Sequence, residues 1–285
     1  MKGLLNVLDL FTGYSGFQLG LKLAGEIVGF EPRTVCYVER EIFAVANLVA
    51  KIEQSLLDDA PIWSDVTTFD GKPYRGKVDC ITGGIPCQPF SLAGKQAGLA
   101  DERWLWDDVY RILIETGSPL IFIENVPNIV NHGLLQILEG LAANGYDAQW
   151  DCYSASEIGA PHRRERFFLL AYTEKARIAW KCEIEQSKRT ECAGDVGNTN
   201  KDRLQNRNSI DTGSRNDSVC RLQPFPPAIT GEWDNVPPHL KPAIRRVVDG
   251  NSEWMDGLAL CGNGVVPGVV AVAFIELAER AGILI

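Results

Sequence analysis

The cysteines of this 285-residue chain show no pairing pattern: eight are present, but no two stand as C-x-x-C and their spacing is irregular. A disulfide framework and a zinc site are therefore both disfavoured. No apolar signal segment precedes Asp9, so the thiols are expected to stay reduced in a cytoplasm. No uninterrupted apolar run approaches the roughly 20 residues that span a bilayer, which argues against membrane insertion. Positive charge is not in excess either: the formal net charge of -9 counts against a nucleic-acid partner for the surface as a whole, although basic residues cluster locally. With 45% hydrophobic and 23% charged residues, the chain can build one sizeable core with a small appendage.

Periodicity along the chain alternates strand and helix. Leu4 to Leu10 reads as a strand, Thr12 to Gly16 as a glycine-bearing turn and Phe17 to Ala24 as a helix. Val35 to Val38 (strand), Ile42 to Ile52 (helix), a short strand flanked by Ile62 and Val66, and Val78 to Thr82 (strand) follow. Then come Trp104 to Thr116 (helix), Leu120 to Ile123 (strand), Leu134 to Asn144 (helix), and two late strands, Tyr146 to Tyr153 and Arg166 to Ala171. This order predicts an α/β fold whose mostly parallel sheet is covered on both faces, with a final hairpin adding an antiparallel edge strand. After Tyr172 the apolar periodicity stops. Residues 173–238 fill with Asn, Asp, Arg, Thr and Gly, and read as a disordered insert or a small irregular domain. Periodicity returns from Gly264 to Ala281. The expected division is 1–172, 173–238 and 239–285.

Three constellations carry chemistry. Gly83-Gly84-Ile85-Pro86-Cys87-Gln88-Pro89 places one cysteine between two prolines after an apolar strand, where open α/β sheets keep their sites. By itself this is a small residue beside a proline turn; with positive charge nearby, its thiolate is a nucleophile. Glu124-Asn125-Val126 closes another strand at the same sheet edge. A carboxyl withdrawn from water there holds its proton near neutral pH. Arg163-Arg164-Glu165-Arg166 opens the last strand, and alternation turns Arg164 and Arg166 to one side. Their guanidinium forks suit carbonyl oxygens and phosphates. On the cofactor side, Asp9-Leu10-Phe11-Thr12-Gly13-Tyr14-Ser15-Gly16 follows the first strand and Glu39 ends the second, an arrangement that suits ribose hydroxyls. The glycine spacing is not the full dinucleotide fingerprint, which favours an adenosyl ligand other than NAD. Asp65, at the end of the third strand, is either an acceptor for an adenine amino group or a simple cap.

In this order the motifs resemble the DNA cytosine-5 methyltransferase family. The resemblance rests on Asp9-Leu10-Phe11, Asp65-Val66, Pro86-Cys87-Gln88, Arg103-Trp104-Leu105-Trp106, Glu124-Asn125-Val126, Arg164-Glu165-Arg166 and Gly262-Asn263-Gly264-Val265-Val266-Pro267. It covers about residues 4–172 and 240–281. It departs from the family at His162, where glutamine is usual, at Asp101-Glu102, and in the short middle segment.

The resemblance implies a Rossmann-like methyltransferase fold with S-adenosylmethionine as cofactor and double-stranded DNA as partner. Cys87 would add to carbon 6 of a flipped-out cytosine, Glu124 would act at ring nitrogen 3, and Arg166 would hold the carbonyl oxygen with Arg164 supporting the loop or a phosphate. Phe11, Gly13, Gly16, Glu39, Asp65, Pro86 and Asn263 would line the cofactor site, with no metal. Residues 173–238 would be a target-recognition region with a basic face, drawn from such residues as Lys175, Arg177, Lys188 and Arg189. A monomeric enzyme of a bacterial, archaeal or phage-infected cell, either solitary or linked to restriction through a cognate endonuclease, is the expected setting. Transfer of methyl to transfer RNA, or a DNA-binding relative without activity, are the alternatives.

Overall fold

The structure, a computed structural model, describes residues 3–86, 104–160, 163–180 and 264–284. Its elements are β1 (Gly3–Leu10), α1 (Gly16–Val28), β2 (Phe30–Val38), α2 (Ile42–Glu53), β3 (Ile62–Trp63), β4 (Cys80–Gly84), α3 (Trp106–Thr116), β5 (Leu120–Asn125), the single turn α4 (Ile129–His132), α5 (Leu134–Ala143), β6 (Tyr146–Ser154), β7 (Glu165–Thr173) and a closing helix, Pro267–Arg280. The strands form one sheet in the order β3-β2-β1-β4-β5-β7-β6. Neighbours from β3 to β5 pair in parallel, and β7 runs antiparallel to both β5 and β6. The reversal falls at the expected edge, with β7 one place in and β6 outside it. Between β1 and β4 the winding changes direction, and in such sheets the crevice at that switch point receives ligands.

Apolar alternation explains the two cores. Leu5, Val7, Phe122, Phe168 and Leu170 face α1 and the closing helix. Leu8, Leu10, Ile81, Ile121 and Ile123 face α3 and its surroundings on the other side. Strand β5 is buried along its whole length, as a central strand covered on both faces should be. Phe122 stacks on Phe168 at 5.6 Å and meets Phe17 and Phe274 edge-on at 5.5 and 5.3 Å. Each such ring removed from water contributes roughly 2–3 kcal/mol. Helix α1 lies close against the closing helix because Gly20 has no side chain: a Cβ there would come within 2.4 Å of the Val270 Cβ.

Three boundaries differ from the sequence reading. Strand β4 runs Cys80–Gly84, two residues later than Val78–Thr82, because Gly83 lies flat against β1; a Cβ on it would stand 2.8 Å from the Leu10 carbonyl oxygen. Its glycines belong to the strand and permit a close approach. The third strand is only Ile62–Trp63, so Asp65 and Val66 lie in the 3-10 turn beyond it. Past Tyr172 the chain does not leave the core: residues 174–180 are helical, Ala176 is buried, and the Trp180 ring packs on Phe30 and Phe274 at 5.4 and 6.3 Å.

Candidate active site

The base-side cluster is mounted on strand ends. Glu124, next to last in β5, is paired in register with Gly84 of β4 on one side and Phe168 of β7 on the other. Its carboxylate Oε1 accepts from Arg166 Nε at 2.9 Å. Gly84 makes room for it, since a Cβ at that position would approach Glu124 Oε2 to 3.0 Å. Burial pushes the Glu124 carboxyl up to about 7, and the Arg166 and Arg164 guanidiniums pull back only part of that rise. Desolvation outweighs the ion pair here, as it does for buried pairs in general.

Arg164 stands just before β7 with a positive φ of 24°, outside the strand alternation expected of it. Even so, both arginines act on Glu124. The Arg164 Nη2 donates to the Gly264 carbonyl, tying the start of β7 to the returning C-terminal segment. Asn125, 1% exposed, fixes the neighbouring turn: its Nδ2 donates to the Ile85 carbonyl at 3.2 Å and its Oδ1 accepts from Val126 N at 2.8 Å. Ile85 N in turn donates to the Glu124 carbonyl at 3.1 Å. These bonds lock Ile85 and Pro86 beside the carboxylate. Cys87 follows directly and lies outside the described residues, as do His162 and Asn263.

The second cluster is the loop after β1. Phe11, Gly13 and Ser15 all take positive φ, of 52°, 54° and 69°. For the two non-glycine residues this costs on the order of 1 kcal/mol or more each. The surrounding bonds hold that shape. Thr12 N donates to the Val38 carbonyl at 3.2 Å, Ser15 N to the Thr12 carbonyl at 2.9 Å, and Gly13 N to Glu39 Oε2 at 2.7 Å. Glu39 Oε1 also accepts from the Arg40 and Glu41 amides, both at 2.8 Å. Three donors thus occupy a carboxylate that offers about four acceptor positions, leaving room for one more hydroxyl.

Asp9, fully buried at the root of this loop, accepts from the Thr82 hydroxyl at 2.6 Å through Oδ1, while its Oδ2 has no partner. Burial pushes its carboxyl up to about 7. The loop fits an adenosyl ligand: Gly13 faces space in which, among the described residues, an added Cβ would meet only the Phe11 carbonyl oxygen at 3.9 Å, and an acid stands at the tip of β2. Gly16, also expected here, allows a close approach as well, with a Cβ on it reaching 2.5 Å from the Val265 carbonyl oxygen. Phe11 is half-buried against the core face that holds Leu8 and Leu10. Asp65 is a cap: its Oδ1 accepts from Thr67 N and Oγ1 at 2.9 and 2.8 Å.

One strand separates β1 from β5, so the loop and Glu124 stand roughly 10 Å apart on one sheet edge. The structure brings Phe11, Gly13, Glu39, Pro86, Glu124, Arg164 and Arg166 to that edge. Sequence reasoning gave no role to Asn125, Gly84 or Gly264. For Asn125 the available signal was a lone amide ending an apolar strand; for the two glycines, the close approaches appear only in three dimensions. Among the described residues no group of His, Cys, Asp or Glu is arranged to hold a metal. No described helix is long and apolar enough to cross a membrane.

The model of the C-5 cytosine-specific DNA methylase family matches residues 5–246. The chain belongs to that family. The chain is 36% identical over 171 residues to the Type II methyltransferase M.MspI of a Moraxella species, covering 58% of this chain and 38% of the relative. It is 31% identical over 201 residues to M.NgoMIV of Neisseria gonorrhoeae, covering 66% of this chain and 58% of that one. The chain spans between about two fifths and three fifths of the length of these curated relatives. A methyltransferase of Entamoeba histolytica shares the fold, with a TM-score of 0.51 at 20% identity, over 60% of this chain and 53% of its own.

Proposed function

We propose that this chain transfers a methyl group from S-adenosylmethionine to carbon 5 of a cytosine turned out of double-stranded DNA, by way of a covalent bond from Cys87. The observation that carries the reading is the ion pair of buried Glu124 with half-buried Arg166, with the carboxyl raised to about 7, set beside the turn that leads through Pro86 into Cys87. Family membership supports it.

When bound, S-adenosylmethionine supplies a methyl group on a positively charged sulfur. Phe11 would lie against the adenine, Glu39 would accept from the ribose, Gly13 and Gly16 would line the methionine end, and Asp65, Pro86 and Asn263 would complete the pocket. Asp65 would use Oδ2, since Oδ1 is committed to Thr67.

On the base side, the Cys87 thiolate forms a bond to carbon 6, which pushes electron density onto carbon 5 and makes it the nucleophile. Glu124 holds a proton at ring nitrogen 3, where negative charge develops, and Arg166 holds the carbonyl oxygen. Arg164 braces this face through Gly264. Once carbon 5 carries the new methyl group, loss of its original hydrogen as a proton to a base restores the ring double bond and expels the Cys87 thiolate. Turning the base out of its stack costs a few kcal/mol, offset by these contacts.

Residues 173–238 are read as the target-recognition region, on a core that residues 174–180 still help to cover. A cytoplasmic monomer, either solitary or paired with a cognate endonuclease, completes the proposal.

The test is transfer of labelled methyl to duplex DNA, with transfer RNA alongside. Label is expected in the DNA, and replacing Cys87 by Ser is expected to abolish it while donor binding persists. Label in transfer RNA alone, or turnover retained by Cys87→Ser, would overturn the reading. Bisulfite sequencing of DNA from expressing cells then gives the target.

A further inference from the structure

Lys51 sits in the last turn of α2, where the partial negative charge of the helix end favours a cation. A lysine at a half-buried surface position ordinarily extends its ammonium into water. This one turns inward: its Nζ donates to the Tyr14 carbonyl at 2.8 Å and stands 5.5 Å from the centre of the Tyr14 ring. Burial holds its pKa below the ordinary lysine value, so the ammonium gives up hydration to make these contacts.

What it grips is the loop in which Phe11, Gly13 and Ser15 take positive φ. Such backbone persists only where its surroundings over-determine it. Restraint comes from the chain just before helix α2 and from that helix's last turn. Glu39, two residues before the N-cap Glu41, holds the Gly13 amide, and Lys51, near the C-terminus, holds the next residue's carbonyl. The acid holds the Thr12–Gly13 peptide and the base holds the Tyr14–Ser15 peptide, so the Gly13–Tyr14 peptide between them is restrained from both sides.

We infer that Lys51 is a positioning residue for the cofactor loop, keeping Phe11 to Ser15 in the shape that receives the adenosyl ligand. This rests on the proposed reading of that loop. It assigns Lys51 no contact with the reacting atoms, so its removal should weaken donor binding and leave the chemical step intact.

The experiment compares the unaltered chain with Lys51→Met, which keeps the unbranched apolar stem and removes the donors and charge, and with Lys51→Arg, which keeps both donors and charge. S-adenosylmethionine binding is measured by calorimetry, KM and kcat by labelled-methyl transfer, and hydrogen exchange of residues 12–15 in the cofactor-free protein. Lys51→Met should raise the donor Kd and KM about tenfold, as for loss of one charge-assisted hydrogen bond, with kcat at saturating donor within about twofold. Amide exchange in the loop should quicken, and Lys51→Arg should recover most of both effects. A donor Kd within about twofold of wild type, with or without altered exchange, overturns the inference, as does a fall in kcat at unchanged KM. Should Lys51→Met fold poorly, Tyr14→Leu removes only the ring half of the contact; it should give a smaller rise in Kd in the same direction, and no rise counts against the clamp. Wild-type protein that binds no S-adenosylmethionine overturns the underlying reading instead, and the exchange rates then decide whether Lys51 restrains the loop.

Discussion

Two regions share one sheet edge and hold their functional groups by different means. On the β5–β7 side, Glu124 and Arg166 are carried by strands whose registers fix them, and their interaction is between charges withdrawn from water. On the β1 side, the loop from Phe11 to Ser15 has no register to obey and includes residues in costly backbone conformations, held by bonds to backbone amides and carbonyls. Strand mounting suits groups that must meet a reacting atom within a fraction of an ångström. A braced loop suits the binding of a larger ligand through its backbone. The two sides should therefore fail differently when damaged: the strand side in turnover, the loop side in affinity.

Glu124→Gln should show the largest effect. The amide keeps the shape but cannot deliver a proton, so kcat should fall by about 10²-fold or more while the donor Kd stays within about twofold. The carboxyl is raised to about 7 by burial and in the proposed role acts in its protonated form, so wild-type turnover should decline as pH rises through that value and Glu124→Gln should lack that limb. Pre-steady-state rates across pH 6 to 9 provide the check. A matching loss of donor affinity would break the division between the two sides.

Much of this was legible in the chain because central strands are apolar runs and their ends are marked by polar residues. Leu120 to Ile123 announced β5, and Glu124 stood out as the acid that follows. What stayed hidden was the meaning of small residues. Gly83 and Gly84 read as the boundary of a strand, yet they lie within it, one against the Leu10 carbonyl and the other against the Glu124 carboxylate. Gly16 read as a ligand-facing turn residue, while the structure sets it against Val265, nearly 250 positions along the chain. Such close approaches join segments far apart in sequence, and a missing side chain does not say what fills its place. Lys51 was hidden for a related reason, since an amphipathic helix normally carries a lysine in its last turn for solubility, and only the inward reach of Nζ distinguishes this one.

Gly16→Ala tests the loop side, with an intermediate effect expected. The added methyl would stand 2.5 Å from a backbone oxygen, so the 264–266 segment or the start of α1 must move. Overpacking of this kind costs about 1–3 kcal/mol, read as a lowered Tm. Donor affinity should fall about tenfold, with kcat at saturating donor less affected, because the shift reaches the cofactor loop first. Equal losses in kcat and affinity would mean that the Arg164–Gly264 bond transmits the disturbance across the edge, and the two sides would then count as one mechanical unit.

The smallest effect on methyl transfer belongs to Asp9, which joins the regions from below through its bond with Thr82. Its carboxyl is raised from 3.8 to about 7, chiefly by burial. A raised acid binds more protons in the folded than in the unfolded state between those values. Its contribution to stability is therefore fully present below the unfolded pKa and is lost as pH rises through about 7. Asp9→Asn mimics the protonated form and still accepts from Thr82 through its amide oxygen. At pH 4 the variant should match wild type within about 1 kcal/mol, whereas at pH 8 it should be the more stable by on the order of 4 kcal/mol. Denaturant unfolding at the two pH values measures the difference. If wild type and Asp9→Asn instead lose stability in parallel with pH, the buried acid that titrates across this range is Glu124, and the electrostatic strain of the edge lies wholly on its strand side.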